Sequence, residues 1–289
     1  MTPRRVAVAL ALGALPALAV VAALLACRPR PEDVAAAGLR PAAASAADAP
    51  ATVWFRGDFE SGDLRGWSGD LPRPDAVQVV SEPVRHGRYA ARISLAPGDL
   101  AAHKERTELR LADRSLERSH AGEGTTAWYG WSLYLPEDHA DPAGGQYPIL
   151  AQWHHRPGHP GPEGGRAHVT GPPPLALYLV SGSGEQSLVL IGQETVTAPP
   201  TRLAERAISL GEWLDLVFQI RWSTGNDGFV AAWIDGEPFT DGRWTGPTLY
   251  NSLSNYFRLG FYRGKGGTTT NHVYYDEVWM SDEPPPALR

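Results

Sequence analysis

From Val53 onward the chain is written in short segments whose apolar and polar positions alternate, separated by Gly, Pro, Asp and Ser. Alternation with a period of two marks a strand with one buried and one open face. No stretch carries a long apolar stripe at helical spacing, so the pattern predicts an all-β sandwich or jelly roll. Strands are expected at 54–59, 77–80, 89–95, 105–111, 126–136, 149–154, 175–180, 187–191, 212–222, 229–234, 255–264 and 272–280. Asp235-Gly236, directly after one of these runs, is a tight hairpin signal.

In three of the segments the open face is chemically unusual. Within 255–264, Phe257, Leu259 and Phe261 share the core face, whereas Tyr256, Arg258, Gly260 and Tyr262 share the other. Two phenols flanking a guanidinium, with a glycine leaving room above the sheet, suit a polar and anionic ligand. In 105–111 the open face carries Arg106, Glu108 and Arg110, and in 149–154 it carries Gln152 and His154. Side by side in one sheet, these strands form an anion-neutralising and acid/base set that needs no metal. Glu108, between two arginines on its own face, reads as the group that orients them.

Two further segments extend this picture. In 126–136, Tyr129, Trp131, Leu133 and Leu135 read as core, and Trp128, Gly130, Ser132 and Tyr134 either as a further wall of the groove or as a face for sheet packing. The Gly-, Pro- and His-rich stretch 155–174 is long enough to border the site as a lid, with His155 turned away from His154.

Composition divides the 289 residues into three parts. Residues 1–27 hold Arg4 and Arg5, an apolar run and then the single cysteine, Cys27, after Leu24, Leu25 and Ala26. This is the layout of a bacterial export signal, with Cys27 as a lipidation site. Residues 28–52 are Ala- and Pro-rich and read as a flexible linker, and 53–289 as one β domain. The expectation is an exported monomer, either a cell-envelope lipoprotein associated with a membrane through Cys27 or a secreted protein. One cysteine excludes an intrachain disulfide. A net charge of −6 excludes a general nucleic-acid binder, while Arg106, Arg110 and Arg258 supply a local basic groove. Asp58, Glu60 and Asp276, on the first and last strands, leave room for a structural calcium. No spacing of catalytic-metal type is present, and no cofactor is required.

RTELR at 106–110, QWH at 152–154 and YFRLGFY at 256–262 resemble, in order and in residue type, the three signature strands of jelly-roll polysaccharide lyases. Alginate lyases have similar motifs, and the variants here look nearer to glucuronan lyase and heparin lyase I. The resemblance implies a concanavalin-like β-jelly roll of two antiparallel sheets with a concave groove for an acidic polysaccharide, cleaved by β-elimination. It implies that Arg106 and Gln152 neutralise the uronate carboxylate, that His154 is a base or its partner, and that Tyr262 is the acid or both acid and base. Arg110, Arg258 and Tyr256 would hold neighbouring sugars. Arg258 stands where alginate lyases carry Lys, which points to glucuronan or heparin-type polymers ahead of alginate.

Chemistry gives the same requirement independently. Taking the C5 proton builds charge beside a carboxylate, so donors aimed at that carboxylate stabilise the transition state. In glucuronate and mannuronate the C5 proton and the C4 oxygen share a side, so Tyr262 can serve both. In guluronate and iduronate they are opposed and call for His154 as base. A sandwich-fold glycosidase would need two carboxylates across the bond, and the ExDxxE strand motif is absent. A non-catalytic sugar-binding module would use the groove without needing Gln152, His154 and Tyr262.

Overall fold

The computed structural model describes residues 49–50, 52–140, 147–156, 171–182 and 185–288. Cys27, the export segment, nearly all of the 28–52 linker and residues 157–170 of the expected lid lie outside the described residues.

In chain order the strands are β1 (Phe55–Gly57), β2 (Trp67–Asp70), β3 (Val77–Val80), β4 (Ala90–Leu95), β5 (Arg106–Leu111), β6 (Thr126–Tyr134), β7 (Ile149–His154) and β8 (Leu175–Gly182). There follow β9 (Glu185–Gly192), β10 (Thr201–Ile208), β11 (Trp213–Arg221), β12 (Phe229–Ile234), β13 (Glu237–Pro238), β14 (Trp244–Thr245), β15 (Tyr256–Tyr262) and β16 (Asn271–Ser281). One short helix, α1 (Arg114–His120), follows β5, with Asp113 capping its first turn by accepting from the Ser115 amide.

The strands form two antiparallel sheets. One runs β13-β12-β11-β6-β16-β4-β3, with β1 paired to β16 and β14 to β12. The other runs β10-β9-β8-β7-β15-β5-β2. Chain order is therefore shuffled in space, and segments about 150 residues apart, β5 and β15, become neighbours. The alternating residues meet between the sheets as expected. Trp131 stacks on Phe218 at 4.9 Å, and Trp153 lies 5.2 Å from both Phe218 and Phe257. Asp235 and Gly236 both take positive φ, 51° and 76°, and join β12 to β13 in a two-residue turn.

A buried phenol ties the layers together beneath the site. Tyr275 of β16 reaches across the core, its hydroxyl 2.7 Å from the Leu150 carbonyl and 2.8 Å from that of Gly260. Both carbonyls lie where the register between β7 and β15 slips by one residue. The hydroxyl thus satisfies backbone left open by the irregularity.

Three expectations are corrected. Trp128, Gly130, Ser132 and Tyr134 belong to β6, which is in the other sheet from β7 and β15; their face points away from the Arg and His strands, and Trp128 stacks on Trp233 instead. Asp58, Glu60 and Asp276 do not gather into a calcium site. Glu60 accepts from the amides of Arg88 and Tyr89, Asp276 from those of Arg85, His86 and Glu277, and among the described residues no cluster of three or more metal-ligating groups occurs. His155 does not turn away from His154, because the strand ends there and the two rings stack at 4.6 Å.

Candidate active site

Strands β7, β15 and β5 are consecutive neighbours in the seven-stranded sheet, and their register sets the site. Tyr256 lies opposite His154, Arg258 between Gln152 and Arg110, Gly260 opposite Glu108, and Tyr262 opposite Arg106. All seven sequence-derived polar positions on these strands and Glu108 therefore come to one sheet face. Cross-strand partners project the same way, so the predicted constellation is assembled by hydrogen-bond register alone.

Glu108 is its hub. The carboxylate, 2 % exposed, accepts from Arg258 at 2.9 Å, from Arg106 at 3.3 Å and closely from the Gln152 amide. Gln152 is two strands away, so its side chain reaches across β15 to Glu108. A Cβ at Gly260 would come within 2.2 Å of the Thr107 carbonyl oxygen and 2.7 Å of the Glu108 Cα. The glycine thus admits the close approach of β5, whereas the sequence pattern suggested open room for ligand.

A second carboxylate, Asp70 of β2, was not anticipated. It lies 2.6 Å from Arg258, 3.7 Å from Arg106 and 3.9 Å from Arg110. Burial disfavours its ionised form, but Arg258, Arg106 and Arg110 outweigh that and hold its pKa below the usual value. Strand β2 reads Trp-Ser-Gly-Asp, four residues with no apolar alternation, so its pairing with β5 was not legible.

Three guanidiniums thus face two carboxylates, a surplus of one positive charge. The surplus is not carried by Arg258, whose side chain is 7 % exposed and grips both acids. Burial lowers its pKa, and Glu108, Tyr256 and Asp70 more than reverse that. Arg110, 27 % exposed and bonded to the Ser68 hydroxyl at 3.3 Å, is the more accessible cation, followed by Arg106. Arg106 also lies over the Tyr262 ring at 5.5 Å.

The two acid/base candidates sit toward opposite ends of the row. His154 places Nδ1 2.9 Å from the His155 carbonyl oxygen, which can only accept, so the proton is on Nδ1 and Nε2 carries a lone pair. Burial pushes its pKa down to about 4; the hydrogen bond to the His155 carbonyl opposes the shift, and the charges of the His155 ring, Arg258 and Arg106 reinforce it, so the ring is neutral at ordinary pH. Tyr262 moves the other way. Burial raises its pKa, opposed by Arg106, and the phenol keeps its proton. Tyr256 is held among three groups, stacked on His154 at 5.5 Å with Arg258 at 5.1 Å and Arg156 at 5.3 Å from its ring.

Sequence reasoning also missed Glu117 and Arg156. Glu117 of α1 accepts from the Phe257 amide at 2.9 Å and pairs with Arg156 at 2.7 Å, anchoring the start of β15 and the residue two beyond His154. Burial raises its pKa to about 7. An acid on a helix of seven residues gave no strand signal, and only the packed structure shows what it holds.

Comparison with known proteins bears on this arrangement. A sequence profile of the family described as "Polysaccharide lyase" matches residues 59–279. No curated protein sequence matches the chain significantly. Among solved structures, an endo-β-1,4-glucuronan lyase from the fungus Trichoderma reesei superposes with a TM-score of 0.57 at 23 % identity, covering 80 % of this chain and 95 % of that one. The alginate lyase A1-II′ gives 0.55 at 15 % identity, with 78 % and 98 % covered. Alginate lyase PA1167 from Pseudomonas aeruginosa gives 0.52 at 17 %, with 76 % and 100 % covered. At these identities the superpositions establish the jelly-roll fold.

Proposed function

The chain belongs to the polysaccharide lyase family, and on that premise we propose that it cleaves a uronate-containing polysaccharide by β-elimination at the Arg106, Gln152, His154 and Tyr262 row. The observation that carries the reading is the single positive charge left over in the Arg106, Arg110, Arg258, Asp70 and Glu108 cluster. One uronate carboxylate would complete it.

The chemistry follows from the groups present. The C5 proton leaves to a base, the electron pair forms the C4=C5 double bond, the C4–O4 bond breaks, and O4 takes a proton from an acid. Arg106, held by Glu108, would meet the charge that develops on the carboxylate with little reorganisation, and Gln152, buried with its amide donating to Glu108, would help to hold that arrangement. Tyr262, kept protonated by burial, is the acid toward O4. His154, neutral and with Nε2 free to accept, takes the C5 proton where that proton lies across the ring from O4. Where both lie on one side, Tyr262 acts first as the phenolate, which Arg106 favours against the effect of burial; it takes the C5 proton and passes that same proton to O4.

Glucuronan and heparin-type polymers remain ahead of alginate on the resemblance of the variants QWH at 152–154 and YFRLGFYR at 256–263, not on direct contact by Arg258. Because Arg258 is enclosed by Asp70 and Glu108, direct discrimination between polymers falls to Arg110 and Arg106. Tyr262→Phe tests the assignment. It should lower kcat by at least about 10²-fold while leaving polymer binding within about twofold; lost binding at unchanged kcat would favour a role in holding sugar.

A further inference from the structure

The nine-stranded sheet has an outward face that the row on the other sheet does not use. Along β6, Tyr129 and Trp131 enter the core, so Trp128 points outward, where it stacks on Trp233 of β12 at 5.8 Å and 20°. A cavity of about 730 Å³ opens here, with Thr126, Gln219, Arg243 and Asp282 also on its lining. That volume lies within the roughly 300–1,000 Å³ of small-ligand sites.

The polar groups are distributed for a ligand. Arg243 is exposed; its described partners are the neutral Gln219 amide oxygen at 3.3 Å and the Phe229 ring at 4.4 Å. Asp282, the acid on the lining, is occupied by His120 Nδ1 at 3.0 Å. The groove therefore offers a half-buried indole, an amide and a guanidinium that no carboxylate of the described residues contacts as an ion pair, with Asp282 turned to His120 on the same lining. An indole face takes the C–H face of a sugar ring, and the guanidinium takes a carboxylate.

We propose that this groove is a second glycan-binding site, on the opposite side of the sandwich from the catalytic row, that holds one or two units of an acidic polysaccharide by stacking on Trp233 and pairing with Arg243. It cannot share a straight segment of chain with the catalytic row, because the whole sandwich lies between them. It holds the enzyme on its polymer by a second contact, and the gain is in effective concentration. The proposal takes its ligand class from the uronate reading.

Affinity electrophoresis tests it, using the Tyr262→Phe protein so that the gel polymer is not consumed. Gels contain polyglucuronate, alginate or heparin, and mobility is compared with a polymer-free gel. Adding Trp233→Ala or Arg243→Glu should weaken retardation by at least about threefold in the polymer that binds. In the otherwise unaltered enzyme, the same two substitutions should leave turnover of a short uronate oligomer within about twofold. Unchanged retardation in both variants overturns the proposal, as does a parallel fall in oligomer turnover. A changed sedimentation of the ligand-free protein overturns it too, by showing a second copy in the groove. Arg243 is exposed, so Arg243→Glu decides if Trp233→Ala fails to fold. Retardation that depends on Trp233 in a protein producing no unsaturated uronate from any polymer supports the groove and removes the lyase substrate reading alone.

Discussion

Glu108 accepts from Arg106, Gln152 and Arg258 while almost wholly buried, so removing one donor leaves a buried anion short of partners. Breaking such a pair from one side costs about 3–5 kcal/mol. Arg258→Ala should therefore lower stability by about that amount in a urea midpoint measurement. Arg110, more exposed and 3.9 Å from its nearest acid, should behave differently. Arg110→Ala is expected to cost under about 1 kcal/mol while raising KM for polymer severalfold. His154 gives the proposal its pH dependence. Its folded pKa of about 4 lies below the ordinary 6.5, so the folded protein binds fewer protons than the unfolded chain between those values. This group's contribution to stability is complete above pH 6.5 and is lost as pH falls toward 4. Where His154 is the base, kcat/KM should stay level down to about pH 5 and fall around 4. A midpoint near 6.5 would mean that the ring is not buried as described.

At the scale of elements, β15 is located by contacts on every side: β5 and β7 by register, Tyr275 from beneath, and Glu117 at its first core residue. Gly260→Ala would force its new carbon against the Thr107 carbonyl and should separate β15 from β5, abolishing activity and lowering the urea midpoint. Tyr275→Phe keeps the ring and removes only the hydroxyl, so it should cost about 1–3 kcal/mol with the fold retained. The sequence revealed the strands that alternate strongly. The starts and ends of β7 and β12 were anticipated to the residue, because Trp153 and Ile234 close apolar runs at clear breaks. The edge strand β3 was also anticipated to the residue at 77–80, whereas the edge strands β2 and β10 were not legible. In β10 a register shift between Arg202 and Ala204 breaks the period of two, and β2 carries too few residues to show one. Asp70 was missed for that reason, although it is what makes the arginine cluster nearly neutral.

For the molecule as a whole, the sandwich separates two kinds of aromatic and polar surface that look alike in sequence. Trp128 and Tyr256 both alternate with core residues, yet strand order sends them to opposite faces. Position within a sheet is decided by pairing between distant segments, which periodicity along one segment cannot express. The three motifs at 106–110, 152–154 and 256–262 overcame this because their chemistry is complementary, and the register does bring them together. What the assembled face does to a polymer is tested most directly by following ultraviolet absorbance while the protein acts on glucuronan, alginate and heparin. Elimination creates a C4=C5 double bond conjugated with the carboxylate, so absorbance should rise with at least one polymer, and Tyr262→Phe should abolish the rise. New reducing ends without any absorbance would mean hydrolysis and would contradict the account.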